Sequence, residues 1–174
     1  ASPTIKNNLI YEVTFDEVSF GITIGGNGDS IVNPKVYHNT IDGGKYEGVI
    51  VEKYENSSIN PEIKYNIITN FRQYGIQNNS GSPIISYNDV WNNGNSSADN
   101  YRDCTAGTGG ISSDPKYGSY TLQSDSPCIN KILSGEGDPV ILDYLGFKRP
   151  RPDEPDEPKK DMGAYEYVAD VTDE

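Results

Sequence analysis

Short β-branched runs recur at matching places in four stretches of the chain, residues 2–10, 33–41, 60–68 and 82–90. Each reads Ser or Asn, Pro, any residue, Ile or Val, two variable residues, Asn, any residue, Ile or Val. The apolar pairs are Ile5/Ile10, Val36/Ile41, Ile63/Ile68 and Ile85/Val90, and the prolines stand 31, 27 and 22 residues apart. An imperfect period in the twenties carried by short strands is the pattern of a solenoid. Within each stretch the two apolar positions lie five apart, so an unbroken strand would point them to opposite faces. Both face inward only if the chain turns a corner between them. The Asn in that interval marks the corner, since Asn tolerates the left-handed backbone a sharp bend needs. Stacking the coils in register puts Asn8, Asn39, Asn66 and Asn88 in one column, where their amides hydrogen-bond along the stack.

A second recurring element, Gly21-Ile22-Thr23-Ile24, Gly48-Val49-Ile50-Val51 and Gly75-Ile76-Gln77-Asn78, alternates as a strand with one buried face does. Three short strands and their corners then make one coil, with Thr23, Ile50 and Gln77 facing outward and Ser112 as the fourth of that row. The predicted fold is all-β, a parallel β-helix of about four coils over residues 1–117. Residues 118–174 form a C-terminal capping segment containing a Pro-rich loop at 149–160. The longest lateral loop, Trp91 to Gly110, has a turn-forming, flexible composition.

These repeats resemble the right-handed, single-stranded parallel β-helix of the pectate-lyase-like superfamily. The C-terminal blocks Asp114-Pro115-Lys116-Tyr117, Ser126-Pro127-Cys128-Ile129, Asp143 to Arg149-Pro150 and Asp161-Met162-Gly163-Ala164-Tyr165-Glu166-Tyr167 are similar to the ending of many secreted β-helix proteins. The resemblance implies a cap in which Tyr165 and Tyr167 cover the last coil. Under it Asp143, Arg149 and Asp161 are placed to form a charge-assisted lock. The superfamily holds lyases, hydrolases, adhesins and surface proteins with no chemistry, so fold alone does not set the activity.

Charge narrows the field. The net charge of −12, from 14 basic and 26 acidic residues, argues against nucleic acid, which demands a basic surface. A polyanionic glycan would need a bridging cation such as Ca²⁺ or a local basic patch. No 18-residue apolar run is present. The two cysteines, Cys104 and Cys128, are expected to form a disulfide tying the long loop to the closing segment. A first coil with an open edge predicts further chain, or a neighbouring subunit, covering it. The tail after Val168 is expected to run on into a linker or to be disordered.

Candidate chemistry is sparse. The lyases of the resembled superfamily imply catalysis on the outward face of the Gly-Ile/Val strand, but Thr23, Ile50 and Gln77 offer no acid, base or nucleophile. No stacked Asp pair suits hydrolysis. His38, the only histidine, reads as an exposed corner residue. Lys45, Lys53 and Arg72 are the candidates for a lyase base or carboxylate clamp. Trp91, Tyr46 and Tyr74 are the candidates for stacking on sugar. Asp42, Glu47 and Glu52, with Glu55 nearby, are the candidates for Ca²⁺ oxygens. Residues 25–31 are similar to one Gly-Gly-x-Gly-x-Asp calcium repeat, one residue short and without a tandem copy. Asn56, Asn78 and Asn95 stand in glycosylation sequons.

The functional expectation is an extracellular or cell-surface module that binds polysaccharide or supports a cell-surface assembly, without a complete active site in this chain. One alternative is the C-terminal part of a polysaccharide lyase performing β-elimination on uronate glycans. The other is a structural subunit stacking end to end through its open first coil.

Overall fold

The computed structural model describes residues 2–11, 19–133, 137–150 and 159–168. The predicted lateral loop at 11–20, the Pro-rich loop at 149–160 and the C-terminal tail lie largely outside them. The chain winds as a parallel β-solenoid of about three coils passing through four levels. Its first sheet contains β1 (Thr4–Lys6), β5 (Lys35–Tyr37), β9 (Glu62–Lys64) and β12 (Ile84–Ser86). The second contains β2 (Leu9–Tyr11), β6 (Thr40–Gly44), β10 (Ile67–Phe71) and β13 (Asp89–Trp91). The third contains β3 (Ile22–Gly26), β7 (Val49–Lys53), β11 (Ile76–Asn78) and β14 (Tyr101–Arg102). A two-stranded parallel pair, β4 (Ile31–Val32) and β8 (Ser58–Ile59), closes part of the contour.

Register follows the repeat. Ile5, Val36, Ile63 and Ile85 align across the first sheet, and Ile10, Ile41, Ile68 and Val90 across the second. Ile22, Val49, Ile76 and Tyr101 align across the third. These rows fill one narrow core, because a pleated strand sends alternate side chains to one side. Glycine is needed where the third sheet begins. A Cβ on Gly48 would lie 2.3 Å from Ile68 Cγ2, and one on Gly75 2.2 Å from Val90 Cγ1. The corner approaches its own core too closely for any side chain.

The asparagine column forms. Asn8, Asn39 and Asn66 each donate from Nδ2 to the Oδ1 of the Asn one level on, at 2.9, 3.0 and 2.9 Å. Each also donates its backbone N–H to the same oxygen, at 3.0, 2.9 and 2.9 Å. The left-handed residue is not the Asn but the one before it: Asn7, His38, Tyr65 and Tyr87 have φ of 54°, 51°, 66° and 52°. The reason is directional. The bending residue throws its side chain outward, which leaves the Asn pointing inward where its amide reaches both neighbouring levels. Holding His or Tyr left-handed costs about 1–2 kcal/mol each, a strain that the buried amide bonds offset.

The C-terminal segment is not an end cap over the last coil. It lies along the side of the solenoid, across the outer face of the second sheet and the corner preceding it. Ala164 N–H donates to Thr40 Oγ1 (3.0 Å), Tyr117 and Thr69 share a hydroxyl contact (2.6 Å), and Tyr120 reaches Asp42 Oδ2 (3.2 Å). Nearer the first level, Asn7 Nδ2 donates to the Leu142 carbonyl (2.6 Å). An antiparallel hairpin, β15 (Tyr117–Gly118) with β16 (Thr121–Leu122), opens this strap. A second core forms beneath it, in which Tyr37, Tyr65 and Ile67 of the solenoid meet Cys128, Ile132 and Met162 of the strap. Above the fourth level the chain folds over by another route, with Ile111 bridged to Asp89 and Tyr87 N–H bonded to Thr108 O (2.8 Å).

The expected disulfide is absent, and both cysteines are free. Cys104 packs against the solenoid core, whereas Cys128 lies in the outer one, its thiol 3.1 Å from Asp89 Oδ2. The second sheet stands between them.

Candidate functional site

Two charged clusters are structural: one holds the strap together and the other ties it to the coils. Within the strap, Arg149 is fully buried and donates to the carbonyls of Asp161 (3.1 Å) and Gly163 (2.8 Å) and to the Glu166 carboxylate. Burial and the neighbouring Asp161 carboxylate push the Glu166 carboxyl upward, against the pull of the guanidinium. Asp143 and Asp161 instead accept backbone N–H groups, among them those of Leu145 and Tyr167. The lock expected from Asp143, Arg149 and Asp161 therefore exists, but its ionic partner is Glu166. Nothing in the linear sequence distinguishes that glutamate from its neighbours.

His38 is not exposed. It is wholly buried at its corner, stacked on Tyr65 at 5.0 Å, with Nε2 2.7 Å from Asp138 Oδ2. Lys160 donates to the same carboxylate oxygen at 2.9 Å. His38 Nδ1 is buried with no partner, so a proton placed there would have no acceptor. Burial first, then the nearby Arg149 charge, lowers the imidazole from 6.5 to about 4 despite the pull of Asp138. Asp89, buried where the strap covers β13, moves the other way, from 3.8 to about 6, mainly through desolvation.

These two groups give opposite pH dependences. His38 is neutral in the fold but takes up a proton when unfolded below 6.5. Its contribution is thus complete above 6.5 and is lost as pH falls towards 4, up to about 3 kcal/mol. The raised Asp89 contributes below about 4, and its contribution is lost as pH rises through 6. Urea titrations should find that Asp89→Asn loses stability relative to the wild type between pH 6.5 and 4, because the group that opposes His38 is gone. A shallower fall in Asp89→Asn would refute this assignment.

The remaining candidates are dispersed. Lys45 and Arg72 sit on adjacent levels of the corner between the second and third sheets, while Lys53 ends β7. Lys45 Nζ lies 5.8 Å from the Tyr46 ring, which in turn stacks on Phe20 at 5.2 Å. Tyr74 carries the Arg102 guanidinium at 5.5 Å. The outward row of the third sheet reads Thr23, Ile50, Gln77 and Arg102, so Arg102 and not Ser112 is its fourth member. Ile50 in that row is buried. Asp42, Glu47 and Glu52 do not converge. Asp42 accepts from Thr69 Oγ1 and Asn70 Nδ2, and Glu52 from Tyr54 and Asn79. Burial, reinforced by the Glu52 charge, raises the Glu47 carboxyl. Among the described residues no three His, Cys, Asp or Glu side chains are grouped to hold a metal.

Of the stacking candidates, Trp91 lines a cleft. It ends β13 half-exposed, above Thr69 in the outer row of the second sheet. The chain beyond it turns through Asn92 (φ 54°) and Gly94 (φ 64°) into a 3-10 turn, Ser97–Asn100. This loop is pinned despite its flexible composition. Asn93 is buried and donates to Asn100 Oδ1 (3.1 Å) and to the Ile68 and Trp91 carbonyls (3.2 and 3.0 Å). Asp99 clamps the backbone N–H groups of Asn95 and Ser96 at 2.9 and 3.0 Å. Those bonds, that of Asn95 foremost, hold its carboxyl below the usual range. The enclosed cleft measures about 270 Å³ and is lined by Trp91, Asn92, Asn95, Ser97, Asn100 and Ser112, among others. No titratable side chain lines it. A larger cleft, about 570 Å³, opens between the hairpin and the strap, but its polar wall includes Glu166, already engaged by Arg149.

An indole face beside carboxamides and hydroxyls is chemistry suited to binding a polyhydroxylated ring. It supplies neither an acid–base pair nor a nucleophile with its base. Compared with protein-family models, with curated proteins and with solved structures, the chain matches none.

Proposed function

We propose that this parallel β-solenoid is an extracellular polysaccharide-binding module that engages glycan at the Trp91 cleft and performs no chemistry there. The observation that carries this reading is the cleft itself, an aromatic platform walled by neutral hydrogen-bonding groups on a loop held rigid by Asn93 and Asp99. Preorganised polar groups keep the ordering cost of binding low. On a glycan array the chain should retain a defined set of oligosaccharides. Trp91→Ala, with an unchanged circular dichroism spectrum, should weaken that binding by about tenfold or more, the loss typical of removing a central aromatic anchor. Retention indifferent to Trp91 would sink the proposal.

A second reading, a subunit within a larger assembly, is favoured by one observation. At the first level β1, β2 and β3 are each the last strand of their sheet, so among the described residues three parallel edges lie at one end without a further strand. The exposed side chains Tyr11, Leu142 and Tyr144 belong to β2 and to the strap, whose Leu142 carbonyl meets Asn7 at that level. Unpaired edges are templates for another strand. At the opposite end, residues 107–111 already occupy the rung above β12 and β13, so identical copies could not simply stack head to tail. Sedimentation velocity should reveal concentration-dependent association if a neighbouring subunit occupies the open edges. A strictly monomeric chain at all concentrations would count against that subunit.

A further inference from the structure

The Trp91 cleft has a polarity that its lining residues alone do not reveal. On the outer face of the second sheet, towards the end of its strands, runs a column made of half-buried Asp42 and exposed Asn70 and Asn92. Asn70 Nδ2 donates to Asp42 Oδ1 at 2.6 Å, and Asn92 Nδ2 donates to Asn70 Oδ1 at 2.7 Å. The direction of this column is dictated at its foot. An ionised carboxylate accepts only, so Asn70 must turn its amino group towards Asp42 and its oxygen towards Asn92. Asn92 then turns its amino group towards Asn70, using one of its two N–H bonds, which leaves its own Oδ1 as the terminal acceptor at the cleft, with no donor among the described residues. The chain of bonds polarises in one sense and strengthens that acceptor.

Resting on the glycan-binding reading, we infer that the Trp91 cleft selects a neutral pyranose over a uronate. A sugar hydroxyl can donate to Asn92 Oδ1, whereas a uronate carboxylate meets an acceptor there. Among the described residues no cation lines the cleft to compensate. The lining contains no Lys or Arg, and Arg102 is held by Asp103 (3.3 Å) over the Tyr74 ring. Asp99 stands behind the loop, and the whole chain carries −12. A carboxylate entering this cleft loses water and finds no counter-charge, only neutral donors such as Asn95, Ser97 and Ser112. A hydroxylated ring instead satisfies the amides and lays its apolar face on the indole. A neutral ligand also has no acidic carbon next to a carboxylate, so β-elimination has no substrate here.

The test is calorimetric titration of the chain with cellohexaose, mannohexaose and hexagalacturonate, with and without calcium. At least one neutral hexamer should bind about tenfold or more tightly than the uronate. Trp91→Ala should weaken that neutral binding by at least about tenfold. Asn92→Gly keeps the left-handed bend, which glycine adopts freely, and removes the acceptor together with its bond to Asn70. It should weaken the neutral ligand about fivefold. Asp42→Asn lies outside the cleft and frees the column to reverse, so it should shrink the neutral-to-uronate ratio. Trp91-dependent binding of hexagalacturonate as tight as any neutral hexamer would overturn the selectivity while leaving the glycan reading intact. A ratio unmoved by both Asn92→Gly and Asp42→Asn would overturn the polarity argument. No Trp91-dependent binding of any hexamer would bring down the glycan reading itself.

Discussion

Asn66→Ala should destabilise the fold by about 3–5 kcal/mol, while Asn8→Ala, the same change at the end of the same column, should cost less than about 1 kcal/mol. Asn66 sits mid-column and is fully buried. Its Nδ2 donates to Asn88 Oδ1 and to the Val36 and Lys64 carbonyls, each at 2.9 Å. Its Oδ1 accepts both the backbone N–H and the side chain of Asn39. Alanine strands donors and acceptors from two levels at once, and each buried orphan costs about 1–3 kcal/mol. Asn8 is exposed, so water replaces what its truncation removes. Because neighbouring amides share partners, Asn39→Ala/Asn66→Ala should cost clearly less than the sum of the two single changes. Chemical denaturation of the four proteins would decide it. Equal losses at Asn8 and Asn66 would mean that the column contributes little beyond filling space.

Arg149→Leu should cost a further-reaching 3–5 kcal/mol or so, because it leaves a buried Glu166 without its cation and two strap carbonyls without donors. The strap holds the outer core against the second sheet, so the loss should appear as detachment of that face, with faster proteolysis within residues 117–168. The double change Arg149→Leu/Glu166→Leu should recover much of the stability, since removing both charges leaves none buried alone. The pH dependence carries its own signature. Beside the guanidinium the Glu166 carboxyl is already raised from 4.5 to about 8, and removing that cation raises it further. A raised carboxyl contributes fully below its unfolded value and loses that contribution as pH rises through the folded one. The deficit of Arg149→Leu relative to the parent should therefore be smaller at pH 6 than at pH 9. A deficit that grows on acidification would contradict the buried-pair account.

The repeat was legible for a simple reason. Period-two strands and a fixed corner place Ile5, Val36, Ile63 and Ile85 above one another, and like residues stack only on like backbone. The amide column was readable for the same reason, although the bend was assigned one residue too late. His38 and Tyr65 do not look like left-handed residues, because the strain they carry is offset by bonds from the residue after them. Trp91 was legible as a sugar-stacking candidate by type, but Tyr46 and Tyr74 were equally so. Only the folded loop, closed by Asn93 on Asn100, separates a residue lining a cleft from two stacked against neighbours.

By itself the sequence determined the winding, the core rows and the amide column. These arise from interactions between nearby levels, which a short-range pattern repeats and so displays. The tertiary structure decided how the strap is held together and how it meets the coils. The strap lies along the side and not over the end, His38 is buried against Asp138, Arg149 chooses Glu166, and Cys104 and Cys128 fall on opposite sides of a sheet. Each of these contacts occurs once, between residues far apart in the chain. A single long-range contact leaves no periodic trace, and its partners are chosen by the shape and desolvation of a face that exists only after the coils have formed.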